Sequence, residues 1–207
     1  MFDKIMKKKT SETRHRKIPF VFMLGAGIAA LIAAFVLTLD ELRVLKDPNA
    51  VLSCSLNIVL NCSTVMQTWQ AQVFGFPNMF IGLMAFPVLI TIAVLGLSGV
   101  KFPRWFLIAS TIALFLGFLF SYWLFFSSMY AIQVLCPWCL VVTACMTIML
   151  ASYLHGNLKE NNYHLKASLN TKVQYFLKSG YHQMIVLSWI VLMVVLVFIK
   201  FGAALFA

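Results

Sequence analysis

Two cysteines separated by two residues, in Cys136-Pro137-Trp138-Cys139, form the most chemically suggestive stretch of this chain. A Cys-x-x-Cys spacing puts both sulfurs on one face of a helical turn, close enough to close a small disulfide ring. Pro137 suits the first turn of a helix, where its missing N–H costs nothing. A long apolar run follows, from Leu140 onward. A thiol at such a helix start feels the positive end of the helix dipole, which favours the nucleophilic thiolate. The tetrapeptide therefore predicts a redox centre mounted on an apolar helix. A second pair, Cys54 and Cys62, encloses seven residues and closes a wider loop.

The elements that must position these sulfurs are membrane helices. Hydrophobic residues make up 62% of the chain and charged residues only 11%, a balance foreign to soluble domains. A spanning helix needs about 20 apolar residues. Five stretches qualify: 18–39, 78–98, 105–128, 133–153 and 184–206. The first is longer than the core of a secretory signal and reads as an uncleaved anchor. The expected organisation is a basic cytoplasmic tail (1–17), a four-helix core (18–154) with an outer loop (40–77), a cytoplasmic linker (155–183) and a fifth transmembrane helix (184–207). The fold class is thus an all-α membrane protein, a four-helix bundle plus one helix.

The net charge of +10 does not predict nucleic-acid binding, because the positive residues are sorted by side. Thirteen of the sixteen Lys and Arg residues fall in the tail, between the second and third spans, or between the fourth and fifth. Only Arg43, Lys46 and Lys200 fall on the other side. Excess Lys and Arg mark the cytoplasmic face. This predicts a cytoplasmic N-terminus, an outer segment 40–77 and an outer C-terminus. The tail is expected to be mobile or to lie along anionic headgroups. Cys54, Cys62, Cys136 and Cys139 then all face the oxidising compartment, where disulfides persist. Cys145 lies about two turns deeper and reads as an inert buried residue. All four histidines fall on the opposite side.

Around the cysteines the sequence suggests a lid and a pocket wall. Residues 63–76 alternate in a loosely helical way and predict a short amphipathic element in the membrane surface, with Trp69 at headgroup level. Asn78, after Pro77, fits a helix N-cap. The third span is rich in aromatic residues, Phe115 to Phe126, which pack helices or face lipid but also suit a flat quinone ring. A short outer turn is expected at 127–132, and Lys200 is free to snorkel. Small residues in the first span (Gly25, Gly27, Ala29, Ala30, Ala33, Ala34) permit close helix approach.

Three chemistries compete for the four outer cysteines. A tetrahedral zinc site prefers two close-spaced pairs, which Cys54 and Cys62 do not form, and no histidine lies on that side. Structural disulfides fit Cys54–Cys62, but a Cys-x-x-Cys ring encloses too few residues to be a useful staple. A relay, in which an outer pair meets a soluble partner and an inner pair meets a lipid-soluble acceptor by thiolate attack on disulfide sulfur, accounts for both pairs. A different class stays open: a non-enzymatic membrane subunit or small transporter with structural outer-loop disulfides. No ionisable residue falls mid-membrane in the five spans, where transport pathways place one.

The relay reading gains detail from a resemblance. Cys54-x7-Cys62-Ser63-x-Val65, then Phe74-Gly75-Phe76-Pro77-Asn78 with Gly82, then Cys136-Pro137-Trp138-Cys139, resemble the vitamin K epoxide reductase family in its bacterial, disulfide-forming branch. The wider pair precedes the Cys-x-x-Cys, the reverse of the quinone-linked DsbB family. The resemblance implies that Cys136 and Cys139 are the active-site pair, with Cys139 beside the quinone. It implies that Cys54 and Cys62 are the shuttle pair, Cys62 exchanging with Cys136 and Cys54 taking electrons from a partner. It makes Asn78 a hydrogen-bonding residue for a quinone carbonyl, with Thr68 and Thr143 as further quinone contacts. Thr68 falls where many members carry serine, and Thr143 where some carry tyrosine. The implied acceptor is a quinone (ubiquinone or menaquinone), with no metal, flavin or haem. The resemblance is to members without a fused thioredoxin-like domain, and the electron donor it implies is a separate DsbA-like periplasmic thioredoxin-fold protein. The implied location is the bacterial inner (cytoplasmic) membrane, with the redox site at its periplasmic face.

Overall fold

A computed structural model describes residues 2–47, 52, 54–55, 59–164 and 166–205. The last two residues, Phe206 and Ala207, at the end of the expected fifth span, lie outside the described residues. The elements are α1 (Phe2–Lys46), α2 (Cys62–Met66), a 3-10 turn (Trp69–Gln72), α3 (Met79–Leu97), α4 (Arg104–Ser127) with a π turn (Ser128–Ile132), α5 (Pro137–Lys159), α6 (Ala167–Lys178) and α7 (Tyr181–Leu205). Among the described residues there is no strand, and five helical stretches are long and apolar enough to cross a membrane: Lys17–Lys46, Met79–Leu97, Arg104–Ile132, Pro137–Lys159 and Tyr181–Gly202. The chain is an all-α membrane protein.

Three boundaries differ from the sequence reading. The first helix does not stop near residue 39 but runs unbroken from Phe2 to Lys46, so the basic tail is helical and continuous with the first span. The outer turn expected at 127–132 is instead a π-helical extension of α4. It ends at Gln133, whose φ of 60° is left-handed. The polar linker is also largely helical, since α5 continues to Lys159 and α6 follows.

α1 is the centre of the bundle. It packs against α3 on one side and α5 on the other, and α5 in turn packs against α4. Its buried residues recur at helical spacing: Phe20, Met23, Ala26, Ala30, Ala33, Leu37 and Asp40. The small residues in this stripe do what their size suggests, because lipid tails are as apolar as side chains and helices associate by close packing. A Cβ at Gly82 of α3 would lie 3.2 Å from Ala34 Cβ. One at Gly27 would lie 3.0 Å from Ile90 Cγ1. Near the far end, Phe20 fills the space beside Gly96 and Gly156.

α7 is peripheral by contrast. Most of its large apolar residues are exposed, as lipid-facing residues must be when no neighbour covers them. It is tied on by Trp189, whose Nε1 donates to Tyr122 Oη at 2.8 Å. Tyr122 Oη lies 2.7 Å from Thr147 Oγ1, and Thr147 donates to the Thr143 carbonyl at 3.0 Å. Lys200 does not simply snorkel: its Nζ sits 4.0 Å from the centroid of the Tyr130 ring, a cation–π contact.

Candidate active site

Four helix ends meet at one end of the bundle, and the four cysteines lie there. Cys136 is the N-cap of α5, in an extended conformation, with Pro137 at the first helical position. Its sulfur accepts from the Cys139 backbone N–H at 3.4 Å. That is the capping role a serine or aspartate oxygen would fill. Cys136 is buried and Cys139 half-buried, and both are free thiols. Cys136 stands just ahead of the span. The Cys139 thiol donating to it holds the Cys136 thiol below its ordinary range, aided by the backbone N–H groups of Cys139 and Trp138 and opposed by burial and by the negative charge of Asp40. This favours a Cys136 thiolate.

Cys54 and Cys62 form a disulfide, their Cα atoms 5.7 Å apart. Cys62 Sγ lies 3.4 Å from Cys136 Sγ, across 74 residues of sequence. Two devices bring it there. Leu60 and Leu135 form an isolated parallel bridge, in which Leu135 N–H donates to Val59 O at 2.8 Å and Asn61 N–H to Leu135 O at 3.1 Å. Asn61 then caps α2, its Oδ1 accepting from Thr64 N–H at 3.3 Å and from Ser55 Oγ at 3.0 Å. Cys62 is therefore the first residue of a helix whose cap, Asn61, is hydrogen-bonded to Leu135, the residue before Cys136. Leu37, Leu52, Val65 and Met66 surround the three sulfurs of Cys54, Cys62 and Cys136 with apolar side chains. Cys145 is buried in the main helix core, away from this group.

A cavity of about 650 Å³ opens beneath the sulfurs, between α1, α3, α4 and α5. Cys62, Cys136, Cys139, Thr68, Asn78 and Thr143 all line it. Cys54 does not. The expected amphipathic lid is two short pieces, α2 and the 3-10 turn, and Val65, Met66, Gln70 and Phe74 from this stretch line the cavity. Trp69 remains 67% exposed, resting against Trp123 with ring centroids 5.9 Å apart. Phe74 rests on Phe120 at 5.7 Å. The aromatic third span thus holds the lid down as well as walling the cavity.

The polar atoms of the cavity are few and mostly engaged. Asn78 occupies the N-cap position of α3 but makes no cap hydrogen bond. Its Nδ2 donates to the Gln70 carbonyl at 2.7 Å, so the capping role read from the sequence is not realised. Its Oδ1 is buried and has no partner among the described residues. A buried acceptor without a partner is costly, which fits a ligand donor at that point. Thr68 donates to the Val65 carbonyl at 2.7 Å and Thr143 to the Cys139 carbonyl at 3.0 Å. Both hydroxyl protons are therefore engaged with backbone, which leaves those oxygens as acceptors only. Among the described residues no three metal-ligating side chains converge.

One residue of the site escaped the sequence reading. Asp40, placed there at the start of the outer loop, is inside α1 and fully buried. Its Oδ1 accepts from Arg43 Nη1 at 3.2 Å, and its Oδ2 lies 3.5 Å from Cys54 Sγ. The signal was present: Ala30, Ala33, Leu37 and Asp40 continue one helical stripe.

No curated protein matches the chain. Residues 21–154, about two thirds of the chain, match the family model described as the vitamin K epoxide reductase family. That interval takes in the four helices around the cavity and both cysteine pairs. The chain belongs to the vitamin K epoxide reductase family, and is a multi-pass membrane oxidoreductase.

Proposed function

We propose that this protein carries electrons from a DsbA-like thioredoxin-fold protein, through Cys54/Cys62 and then Cys136/Cys139, to a membrane quinone, so sustaining disulfide formation in the periplasm. The observation that supports this most strongly is the 3.4 Å separation of Cys62 Sγ and Cys136 Sγ beside a cavity that Cys139 also lines. Thiol–disulfide exchange needs a thiolate in contact with a disulfide sulfur. Here a buried Cys136, held toward its thiolate by Cys139, touches one sulfur of the Cys54–Cys62 bridge.

The cysteines as they stand correspond to the moment after the loop pair has delivered its electrons: outer pair oxidised, inner pair reduced. Cys139 is the inner sulfur left to face the cavity once Cys136 is engaged with Cys62. Asn78 would give a quinone carbonyl the second N–H of Nδ2, the first being donated to the Gln70 carbonyl, and its unpartnered Oδ1 would accept from the hydroxyl of the hydroquinone product; Thr68 and Thr143 would line the cavity beside the ring. A quinone there would take up the two electrons and two protons that oxidation of the inner pair releases. The mostly apolar walls keep water away from the inner pair. The orientation in the bacterial inner membrane, thiols toward the periplasm, rests on the sorting of Lys and Arg.

The test is quinone reduction by the purified protein with a reduced thioredoxin-fold donor. Cys139→Ala is expected to abolish it while leaving the Cys54–Cys62 bridge exchangeable. Activity near that of the wild type would end the assignment of Cys139 and of the relay built on it.

A further inference from the structure

Asp40 has no part in the relay as set out above, yet its placement is expensive. Taking a carboxylate fully out of water is costly unless it is well paired. Among the described residues, one of its oxygens meets Arg43, whose side chain is 62% exposed, and the other meets Cys54 Sγ at 3.5 Å. An exposed partner returns little of that cost. An asparagine would fill the same space and keep a hydrogen bond to Arg43 without the charge. What only a carboxylate can do at this point is accept a proton from sulfur.

We propose that Asp40 is the general base for Cys54 when Cys54 resolves the Cys62–Cys136 mixed disulfide. This rests on the relay reading and adds a catalytic residue to it. In the step, the Cys54 thiol gives its proton to Asp40 Oδ2 and its sulfur attacks Cys62 Sγ. The Cys54–Cys62 bond forms, the Cys62–Cys136 bond breaks, and the electron pair of the broken bond stays on Cys136. Cys54 is oxidised and Cys136 reduced, with no other reactant. The proton passes from Asp40 to water on the side where Arg43 is exposed. The observed arrangement is the one this step leaves behind: Cys54 bonded to Cys62, Cys136 in contact 3.4 Å away, and the carboxylate beside the attacking sulfur.

A buried thiol needs such help more than an exposed one. Cys54 is only 4% exposed, so bulk water cannot readily remove its proton, and an apolar surround disfavours the free thiolate. Cys62 and Cys136 need no separate base at this step, because neither loses a proton in it.

The test compares the full-length wild type with Asp40→Asn and Asp40→Glu in two assays. In the first, the protein is turned over with the reduced thioredoxin-fold donor and quinone, quenched with acid and alkylated, and its disulfides are mapped by mass spectrometry. In the second, quinone reduction is driven by a small dithiol that reduces the inner pair directly. Asp40→Asn is expected to slow donor-driven turnover by about 100-fold, the usual worth of a general base. It should accumulate the Cys62–Cys136 linkage and keep dithiol-driven turnover within about twofold, the resolution step being bypassed. Asp40→Glu, which keeps a carboxylate, is expected to recover part of the donor-driven rate. Donor-driven turnover of Asp40→Asn at the wild-type rate overturns the proposal. Equal loss of both activities also overturns it, by making Asp40 structural. Failure of the wild type itself to reduce quinone with either reductant would instead strike the relay reading.

Discussion

The two cysteine pairs meet in one cluster but are built differently. Cys54 and Cys62 sit on a loop whose backbone is fixed by one two-residue bridge and one five-residue helix. Cys136 and Cys139 sit on the first turn of a 23-residue helix that packs against α1 and α4. The first pair is closed and the second open. In the proposed relay, the short elements carry the pair that exchanges with the partner, and the long helix carries the pair that faces the acceptor. Local stability differs in the same sense, since short elements with few packed neighbours open most easily. A relay needs this division: one pair must move between two reaction partners, while the other must hold a fixed position against a bound ring.

Removing the meeting point should have the largest effect. Cys136→Ala leaves Cys62 nothing to exchange with, and donor-driven quinone reduction is expected to fall on the order of 10⁴-fold or more, to background. Stopped-flow absorbance of the quinone measures it. A residual rate within tenfold of the wild type would mean that the loop pair has another outlet.

Asn78→Ala should separate the ring from the sulfurs. Loss of one hydrogen bond to a bound quinone is worth about 1 kcal/mol, hence several-fold in KM for the quinone. Exchange between the two cysteine pairs, followed by alkylation, should be unchanged. A change confined to exchange would show that Asn78 serves the lid through Gln70 instead.

The loop side can be weakened more gently. Asn61→Ala removes the cap of α2, worth about 1 kcal/mol. It should slow reoxidation of the inner pair's partner loop several-fold while leaving dithiol-driven quinone reduction intact. The smallest effect is expected at α7. Trp189→Phe deletes the bond to Tyr122, worth about 0.6 kcal/mol between membrane helices. Thermal unfolding in detergent should register it, and both redox steps should not.

The spans and the cysteines were legible in the sequence because both are local signals. A run of apolar residues has a length, and a Cys-x-x-Cys has a spacing, whatever the rest of the chain does. The bridge between Leu60 and Leu135 has no such signature, since two short irregular stretches 75 residues apart pair only when the bundle has formed. Asn78 misled for a related reason: its position predicts a cap, but the Gln70 carbonyl eight residues earlier offered a better partner. Asn61 was readable in principle, a cap residue directly before Cys-Ser-Thr-Val. Asp40 was misread because the first span was ended at its last apolar residue. A stripe continues past that point, and a charged residue on the buried face of a helix is a stronger signal than one beyond its end.

The central claim is that Cys62, and not Cys54, exchanges with Cys136, and one measurement reaches it directly. In the double variant Cys54→Ala/Cys139→Ala, mild oxidation in membranes followed by peptide mapping should yield a Cys62–Cys136 disulfide in most molecules. The complementary variant Cys62→Ala/Cys136→Ala, which leaves Cys54 and Cys139, should yield none between them. Efficient Cys54–Cys139 linkage, or no Cys62–Cys136 linkage, would contradict the account.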